Sequence, residues 1–74
     1  MLLQEARKQA RYSQEQVASL LGISRPTYAK MERFPEDISI SDGQRLASLF
    51  GVSFEDIFFS NDYKQTYSSP NSES

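Results

Sequence analysis

The sequence contains no cysteine and no histidine. Without cysteine, the chain can form neither a disulfide bond nor a thiolate metal site, and without histidine it lacks the side chain most often used as a general base or metal ligand near neutral pH. No pairing of a nucleophile with a base remains that would suggest a hydrolase. The sequence therefore predicts no enzyme activity, no metal site and no cofactor.

Long apolar runs are also absent, and none approaches the roughly 18 residues that a helix needs to cross a bilayer. The N-terminal residues MLLQEARKQAR lack the apolar stretch and the cleavage site of a secretion signal. We therefore expect a cytoplasmic protein that has no membrane partner. A chain of 74 residues forms one domain at most, with a modest hydrophobic core that leaves little room for a catalytic cleft.

The acidic and basic residues are distributed unevenly along the chain. The net charge is -2, but residues 1–33 hold six basic and three acidic side chains, whereas residues 34–74 hold two basic and seven acidic ones. A nucleic-acid-binding domain needs only one basic face, so the overall negative charge does not exclude this class of protein. The difference in sign between the two halves points to nucleic-acid contact through the first half.

Apolar residues recur at helical spacing, and signals for helix starts and stops divide the chain into five segments. A serine can accept a hydrogen bond from the backbone at a helix start, and a glycine or a proline ends a helix. These signals predict an all-α fold with helices over about 2–11, 14–21, 25–33, 41–50 and 54–59. The expected caps are Ser13, Ser24, Ser41 and Ser53, and the expected stops are Gly22, Pro35 and Gly51. The expected core consists of Leu3, Ala6, Ala10, Val17, Ala18, Leu21, Ile23, Tyr28, Met31, Leu46, Leu49, Phe50, Phe54, Ile57 and Phe58.

The last part of the chain differs in composition from the rest. Residues 61–74 are rich in serine and asparagine and poor in aliphatic residues. Such a segment buries too little apolar surface to offset the entropy lost on ordering. We therefore predict a folded domain over residues 1–60 and a flexible, disordered C-terminal tail over residues 61–74.

Residues 14–33, QEQVASLLGISRPTYAKMER, form the most informative stretch, in which two short predicted helices are joined by a tight turn. Ala18 is small where the second helix of the pair crosses the first, and Gly22 can turn the backbone tightly. Larger apolar residues seal the corner, which leaves the outer face of the second helix exposed. These residues are Val17, Leu21, Tyr28 and Met31.

This stretch resembles the helix-turn-helix of the Cro-like phage repressor family, also called the XRE family. The resemblance extends from residue 2 to about residue 59 and includes Arg7, Ser13, Gln14, Glu32 and the closing sequence LASLFGVSFEDIF. It implies a compact, five-helix, λ-repressor-like DNA-binding domain with its helix-turn-helix motif at residues 14–33. In this class of protein, the second helix of the motif lies in the major groove of DNA.

The resemblance places Arg25, Pro26, Thr27 and Lys30 on the outward face of this recognition helix. An arginine or a lysine there can donate to guanine O6 and N7, while threonine and proline offer apolar contact to a thymine methyl group. Lys30 would reach either a base or a phosphate. For each of these residues, the alternative is an ordinary solvated helix surface.

A second set of residues, Ser13, Gln14, Tyr28 and Arg33, is expected to contact the phosphate backbone. The amide of Gln14 would reinforce the helix dipole and the unpaired N–H groups at the start of helix 2, and its alternative is the usual polarity of a helix start. Tyr28 is expected in the core, with its hydroxyl at the boundary and within reach of a phosphate. For Arg33, the alternative is a frayed helix end without a partner.

The resemblance also implies an ion pair between Arg7 in helix 1 and Glu32 in helix 3. Its role would be structural, and it would hold the recognition helix in position. The loop after helix 3 departs from the family, because Phe34 and Pro35 precede the acidic Glu36 and Asp37 where the family often has a glycine and a basic loop along the DNA backbone. An acidic loop repels phosphate, so either the loop turns away from the duplex or a monomer binds weakly and dimerisation would have to supply the remaining affinity.

These features predict a sequence-specific DNA-binding transcriptional regulator, a repressor that reads an operator in double-stranded DNA with helix 3 and binds as a homodimer. The alternative function is that of an antitoxin-like protein, which binds a partner toxin or another regulator and represses its own promoter. The acidic second half and the polar tail would suit a basic protein partner.

Overall fold

Serine caps and left-handed glycines divide the chain into helices in the computed structural model, which describes residues 1–59. The five α-helices of this range are α1 (Leu3–Gln9), α2 (Gln14–Leu21), α3 (Arg25–Arg33), α4 (Ile40–Phe50) and α5 (Phe54–Phe58), and a short 3-10 turn spans Pro35–Asp37. Residues 1–59 contain no β-strand. The predicted all-α, five-helix fold is confirmed, whereas the predicted tail lies outside the described residues.

The two helices of the motif begin and end where the sequence predicts. The Ser13 hydroxyl accepts a hydrogen bond from the Gln16 backbone N–H at 3.0 Å, and the Gln16 side chain accepts one from the Ser13 N–H at 2.8 Å. At the other end of α2, Gly22 adopts a left-handed conformation with φ 74°, and the Ile23 N–H donates to the Ala18 carbonyl. Ser24 then caps α3 by accepting from the Thr27 N–H at 3.2 Å. These local interactions set the turn between α2 and α3.

The two predicted boundaries that are wrong have local physical causes. Helix α1 ends at Gln9 rather than near residue 11, because Arg11 takes a left-handed conformation with φ 68°, which terminates the helix. Helix α4 is capped by Ser39 rather than Ser41, since the Ser39 hydroxyl accepts from the Asp42 N–H at 3.1 Å. Asp42 lies in the first turn of α4, where the helix dipole favours negative charge.

The core forms where α2 packs on α3, α4 on α5 and α1 on α4. Its fully buried members are mostly those predicted from helical spacing, and Leu21, Met31 and Leu49 pack around them while partly exposed. Gly43 allows α5 to approach α4 closely, because a Cβ atom at this position would lie 2.7 Å from Cε1 of Phe54. The buried set is Leu3, Ala6, Val17, Ala18, Tyr28, Leu46, Phe50 and Ile57. None of the helices in residues 1–59 has the length and apolar character to cross a bilayer.

We expect the substitution Gly22→Ala to lower the free energy of unfolding by about 1 kcal/mol, because a left-handed conformation is costly for a residue with a Cβ atom. Steric overlap is not the cause, since a Cβ atom on Gly22 would have no other atom within 4 Å. Chemical denaturation measures the change, and Gly22→Asn should cost less. Gly51→Ala is the matched comparison and should lower the free energy of unfolding by a similar amount, because Gly51 has φ 72° and equally open surroundings. If Gly22→Ala leaves the denaturation midpoint unchanged, the turn accommodates a Cβ atom at this position without any loss of stability.

Candidate nucleic-acid interface

The structure places Arg25, Pro26, Thr27 and Lys30 on the exposed surface of α3. On the opposite face of the same helix, Tyr28 is completely buried in the core. The proline lies in the first turn, where its missing N–H group would have no helical partner. Helix α3 therefore exposes the four residues for which the resemblance implies base contact.

The exposed charges of α3 are all positive. Arg25, Lys30 and Arg33 are exposed. Glu32 is the only acidic residue of α3, and its side chain is just 4% exposed and paired with Arg7. Burial of Glu32 thus removes the one negative charge of α3 itself from the surface, which favours attraction of a polyanion to this helix.

The hydroxyl of Thr27 already has a local partner. Its Oγ1 lies 2.8 Å from Oγ of Ser24, and either atom can donate the shared proton. This contact extends the cap of α3 and uses part of the hydrogen-bonding capacity of the Thr27 hydroxyl. The methyl group of the same exposed side chain suits apolar contact.

Glu32 joins three helices through its two carboxylate oxygens. Arg7 of α1 donates from Nε to Oε2 at 2.6 Å and from Nη2 to Oε1 at 3.4 Å, and Gln14 of α2 donates from Nε2 to Oε1 at 2.9 Å. The guanidinium group of Arg7 also donates from Nη1 to the Tyr12 carbonyl at 2.9 Å. The structure therefore brings Arg7 and Glu32 together as expected from the resemblance, and it adds Gln14 to the pair.

The electrostatics of this cluster keep Glu32 ionised. Burial alone would raise the pKa of Glu32, but the Arg7 guanidinium, followed by the nearby Tyr28 hydroxyl and the Gln14 amide, outweighs it, and the pKa of the carboxyl is lowered. The hydrogen bond to Glu32 raises the pKa of the Arg7 guanidinium. A charged pair with few unsatisfied atoms fixes the end of α3 relative to α1 and α2.

The side chain of Gln14 has a partner within the protein and is not wholly free to contact a phosphate. Its side chain is half-buried, and one N–H of its amide is used by Glu32. The neighbouring Ser13 is exposed, and its hydroxyl caps α2. Sequence reasoning missed the bond between Gln14 and Glu32, for which the only signal was a polar side chain at the start of a helix.

Comparison with known proteins identifies the family to which this fold belongs. A family model described as helix-turn-helix matches residues 3–57. The chain belongs to the XRE-type helix-turn-helix family. A helix-turn-helix-type transcriptional regulator of Methanocaldococcus jannaschii, itself uncharacterised, is 40% identical over 50 residues, which make up 68% of this chain and 76% of that protein. No solved structure matches the chain significantly.

One expected phosphate contact of this helix-turn-helix protein needs correction. Tyr28 has no exposed surface, and its hydroxyl oxygen is buried without a hydrogen-bond partner among the described residues. Glu32 and Arg7 are close enough to influence the hydroxyl, but neither meets the geometry of a hydrogen bond to it. Burial, followed by the nearby Glu32, raises the pKa of Tyr28. The phenol is therefore a core group in this structure, because the packing of α3 on α2 carries its hydroxyl inward, away from solvent.

We expect Tyr28→Phe to leave stability unchanged or to raise it by up to about 1 kcal/mol, because the change removes a buried hydroxyl that lacks a partner. Affinity for DNA should not change. Thermal melts and duplex titration test the two parts separately. A loss of more than about 1 kcal/mol would mean that the hydroxyl does bond to Glu32, and a loss of affinity without a loss of stability would return Tyr28 to the phosphate-contacting set.

The segment after the recognition helix retains its acidic character at the surface. Glu36 and Asp37 are exposed. Asp37 and Asp42 line a groove of about 370 Å³ whose other side carries Thr27 and Lys30 of α3. The carboxylates of Asp37 and Asp42 therefore weaken the positive potential around Lys30, which lines the same groove.

Proposed function

We propose that this protein is a transcriptional regulator that represses its target by binding an operator sequence, with α3 in the major groove of double-stranded DNA. The observation that carries the proposal is the exposed face of α3, which bears Arg25, Pro26, Thr27 and Lys30 and has no exposed acidic side chain. The name of the archaeal relative, a helix-turn-helix-type transcriptional regulator, supports the same class of function. Docking of the second motif helix in the major groove is the geometry of this class.

The exposed residues divide into two roles. Arg25 reads a guanine through its guanidinium group, Lys30 adds a second donor to a base, and Thr27 and Pro26 pack against a thymine methyl group. Arg33 at the end of α3 binds phosphate, and so do Ser13 and the second amide N–H of Gln14 at the start of α2. Base contacts then specify the sequence, while phosphate contacts set the position of the protein.

Selection of duplexes from a random library tests this function directly. The wild-type protein should enrich one sequence, and it should bind that duplex at least about a thousand-fold more tightly than a scrambled duplex of the same composition. The logarithm of the affinity should fall linearly with the logarithm of salt concentration, with a slope of about -0.9 per neutralised phosphate. In a reporter assay, the selected site placed over a promoter should reduce transcription.

Two other outcomes would contradict the proposal. Equal affinity for the selected and scrambled duplexes would identify a non-specific DNA-binding protein. Absence of DNA binding would favour the antitoxin-like alternative, in which the main target is a protein partner.

We further propose that the regulator binds DNA as a homodimer through the α5 end. Phe59 packs edge-on against Phe54 at 5.7 Å between ring centroids, yet it remains 63% exposed, and Ile40 at the start of α4 is 69% exposed. Two copies joined at this end would place two recognition helices at half-sites about one helical turn, or 34 Å, apart. Phe59→Ser should shift the protein to monomer in sedimentation experiments, and its melting temperature should no longer depend on protein concentration. A wild-type monomer on the operator would contradict this part of the proposal.

A further inference from the structure

Arg33 and Phe34 are neighbours in sequence, and their side chains are in contact. The Cζ atom of Arg33 lies 5.3 Å from the centroid of the Phe34 ring. Phe34 is 39% exposed, which leaves a large apolar ring partly in solvent at the end of the recognition helix. A guanidinium group within about 6 Å of a ring centroid is attracted by the negative face of the ring.

This contact depends on how α3 ends. Consecutive residues within a helix point in different directions and do not face each other. Phe34 leaves helical geometry, with φ -132° and ψ 66°, because the following Pro35 disfavours the helical conformation. Its N–H still donates to the Lys30 carbonyl at 2.9 Å, so the residue stays attached to the last turn. The Phe34–Pro35 pair therefore turns the ring back towards Arg33.

The ring also lies beside the proposed DNA-binding surface. Phe34 lines the same groove as Thr27 and Lys30. Arg33 is exposed and forms no ion pair in the described part of the chain. A ring that restricts a long, flexible cationic side chain before a ligand arrives reduces the entropy lost on binding.

We propose that Phe34 is a positioning residue for DNA binding, whose ring holds the Arg33 guanidinium group towards a phosphate oxygen of the DNA backbone next to α3. The inference rests on the proposed function, since it names the device by which one phosphate contact is pre-organised. The acidic residues that follow Phe34 make this device necessary, because Glu36 and Asp37 would otherwise attract the same guanidinium group away from DNA.

A double-mutant cycle on operator affinity tests the inference. Arg33→Ala should weaken binding and reduce the magnitude of the salt slope by about 0.9, which is the value for one phosphate contact. Phe34→Leu should weaken binding about two- to five-fold in the wild-type background, the size expected for an exposed cation–π contact. In the Arg33→Ala background the same Phe34→Leu change should have no effect. Phe34→Trp, which keeps an aromatic face, should restore wild-type affinity, and thermal melts establish that each variant is folded.

A measurement without DNA examines the contact itself. Nuclear magnetic resonance should show the side-chain methylene protons of Arg33 shifted upfield by the Phe34 ring, and Phe34→Leu should abolish that shift. The inference is overturned if Phe34→Leu weakens binding equally with and without Arg33, if it has no effect, or if the ring-current shift is absent. Failure of the wild-type protein to bind any duplex would instead overturn the proposed function together with this inference, while an intact ring-current shift would still establish the side-chain contact.

Discussion

Replacement of either Arg7 or Glu32 by alanine is expected to lower the free energy of unfolding by about 3–5 kcal/mol, because each change leaves the other charge buried without its partner. The side chains of the pair are only 10% and 4% exposed. Since small domains have a total stability of about 5–15 kcal/mol, either variant is expected to be largely unfolded at elevated temperature. Chemical denaturation at neutral pH measures the loss.

Two comparisons distinguish the buried pair from simple loss of packing. The double variant Arg7→Ala/Glu32→Ala should cost less than the sum of the single changes, because no unpaired charge remains. Arg45→Ala is the matched control, since Arg45 lies 3.9 Å from Asp42 in an ion pair that is about half exposed. Such a surface pair contributes at most about 1 kcal/mol. Small and additive single effects would show that the bridge does not stabilise the fold.

The same cluster predicts a dependence of stability on pH. The folded state lowers the pKa of Glu32 below the ordinary value of 4.5. The stabilisation from this carboxylate is therefore fully present above that ordinary value and is lost as pH falls through the lower, folded-state pKa. In denaturation experiments from pH 7 to pH 3, the difference in stability between the wild type and Glu32→Gln should shrink towards the acid end. A difference that is constant with pH would contradict the assigned ionisation.

Local signals explain why the central motif could be predicted from sequence. Helices α2 and α3 are bounded on both sides by residues with one clear conformational role, namely Ser13, Gly22, Ser24 and Pro35. The cap of α4 was predicted two residues too late, because the sequence contains two serines two positions apart, Ser39 and Ser41. Sequence favoured Ser41, whereas Ser39 forms the cap.

Side-chain partners were less predictable than helix bounds. The resemblance supplied the pair of Arg7 and Glu32, but the bond from Gln14 depends on how closely α2 approaches the end of α3. The contact between Arg33 and Phe34 depends on a backbone change at a single residue. Tyr28 shows the same limit, since helical spacing placed it in the core but did not show that its hydroxyl is buried as well.

Substitutions in the recognition helix and at the start of α2 are expected to change DNA binding in different ways. Arg25→Ala should weaken operator binding by about 1–3 kcal/mol and have little effect on a scrambled duplex, because a guanidinium group that reads guanine contributes to specificity. Arg25 is exposed and is not among the residues that line the acidic groove, so its loss should not destabilise the fold. Gln14→Ala should weaken binding to both duplexes and should also lower stability, because Glu32 loses one of its donors.

Titration of each variant against operator and scrambled duplexes at two salt concentrations separates these roles. Arg45→Ala again serves as the control, because it removes an exposed arginine from α4 rather than α3 and should leave the ratio of the two affinities unchanged.

Lys30→Ala should resemble Arg25→Ala if Lys30 donates to a base. It should resemble a phosphate-contact variant, with a reduced salt slope on both duplexes, if the neighbouring Asp37 and Asp42 hold it away from the base edges. Equal losses on both duplexes for Arg25→Ala would remove Arg25 from the residues that determine sequence specificity, and the reading of the operator would then have to come from Thr27 and Lys30.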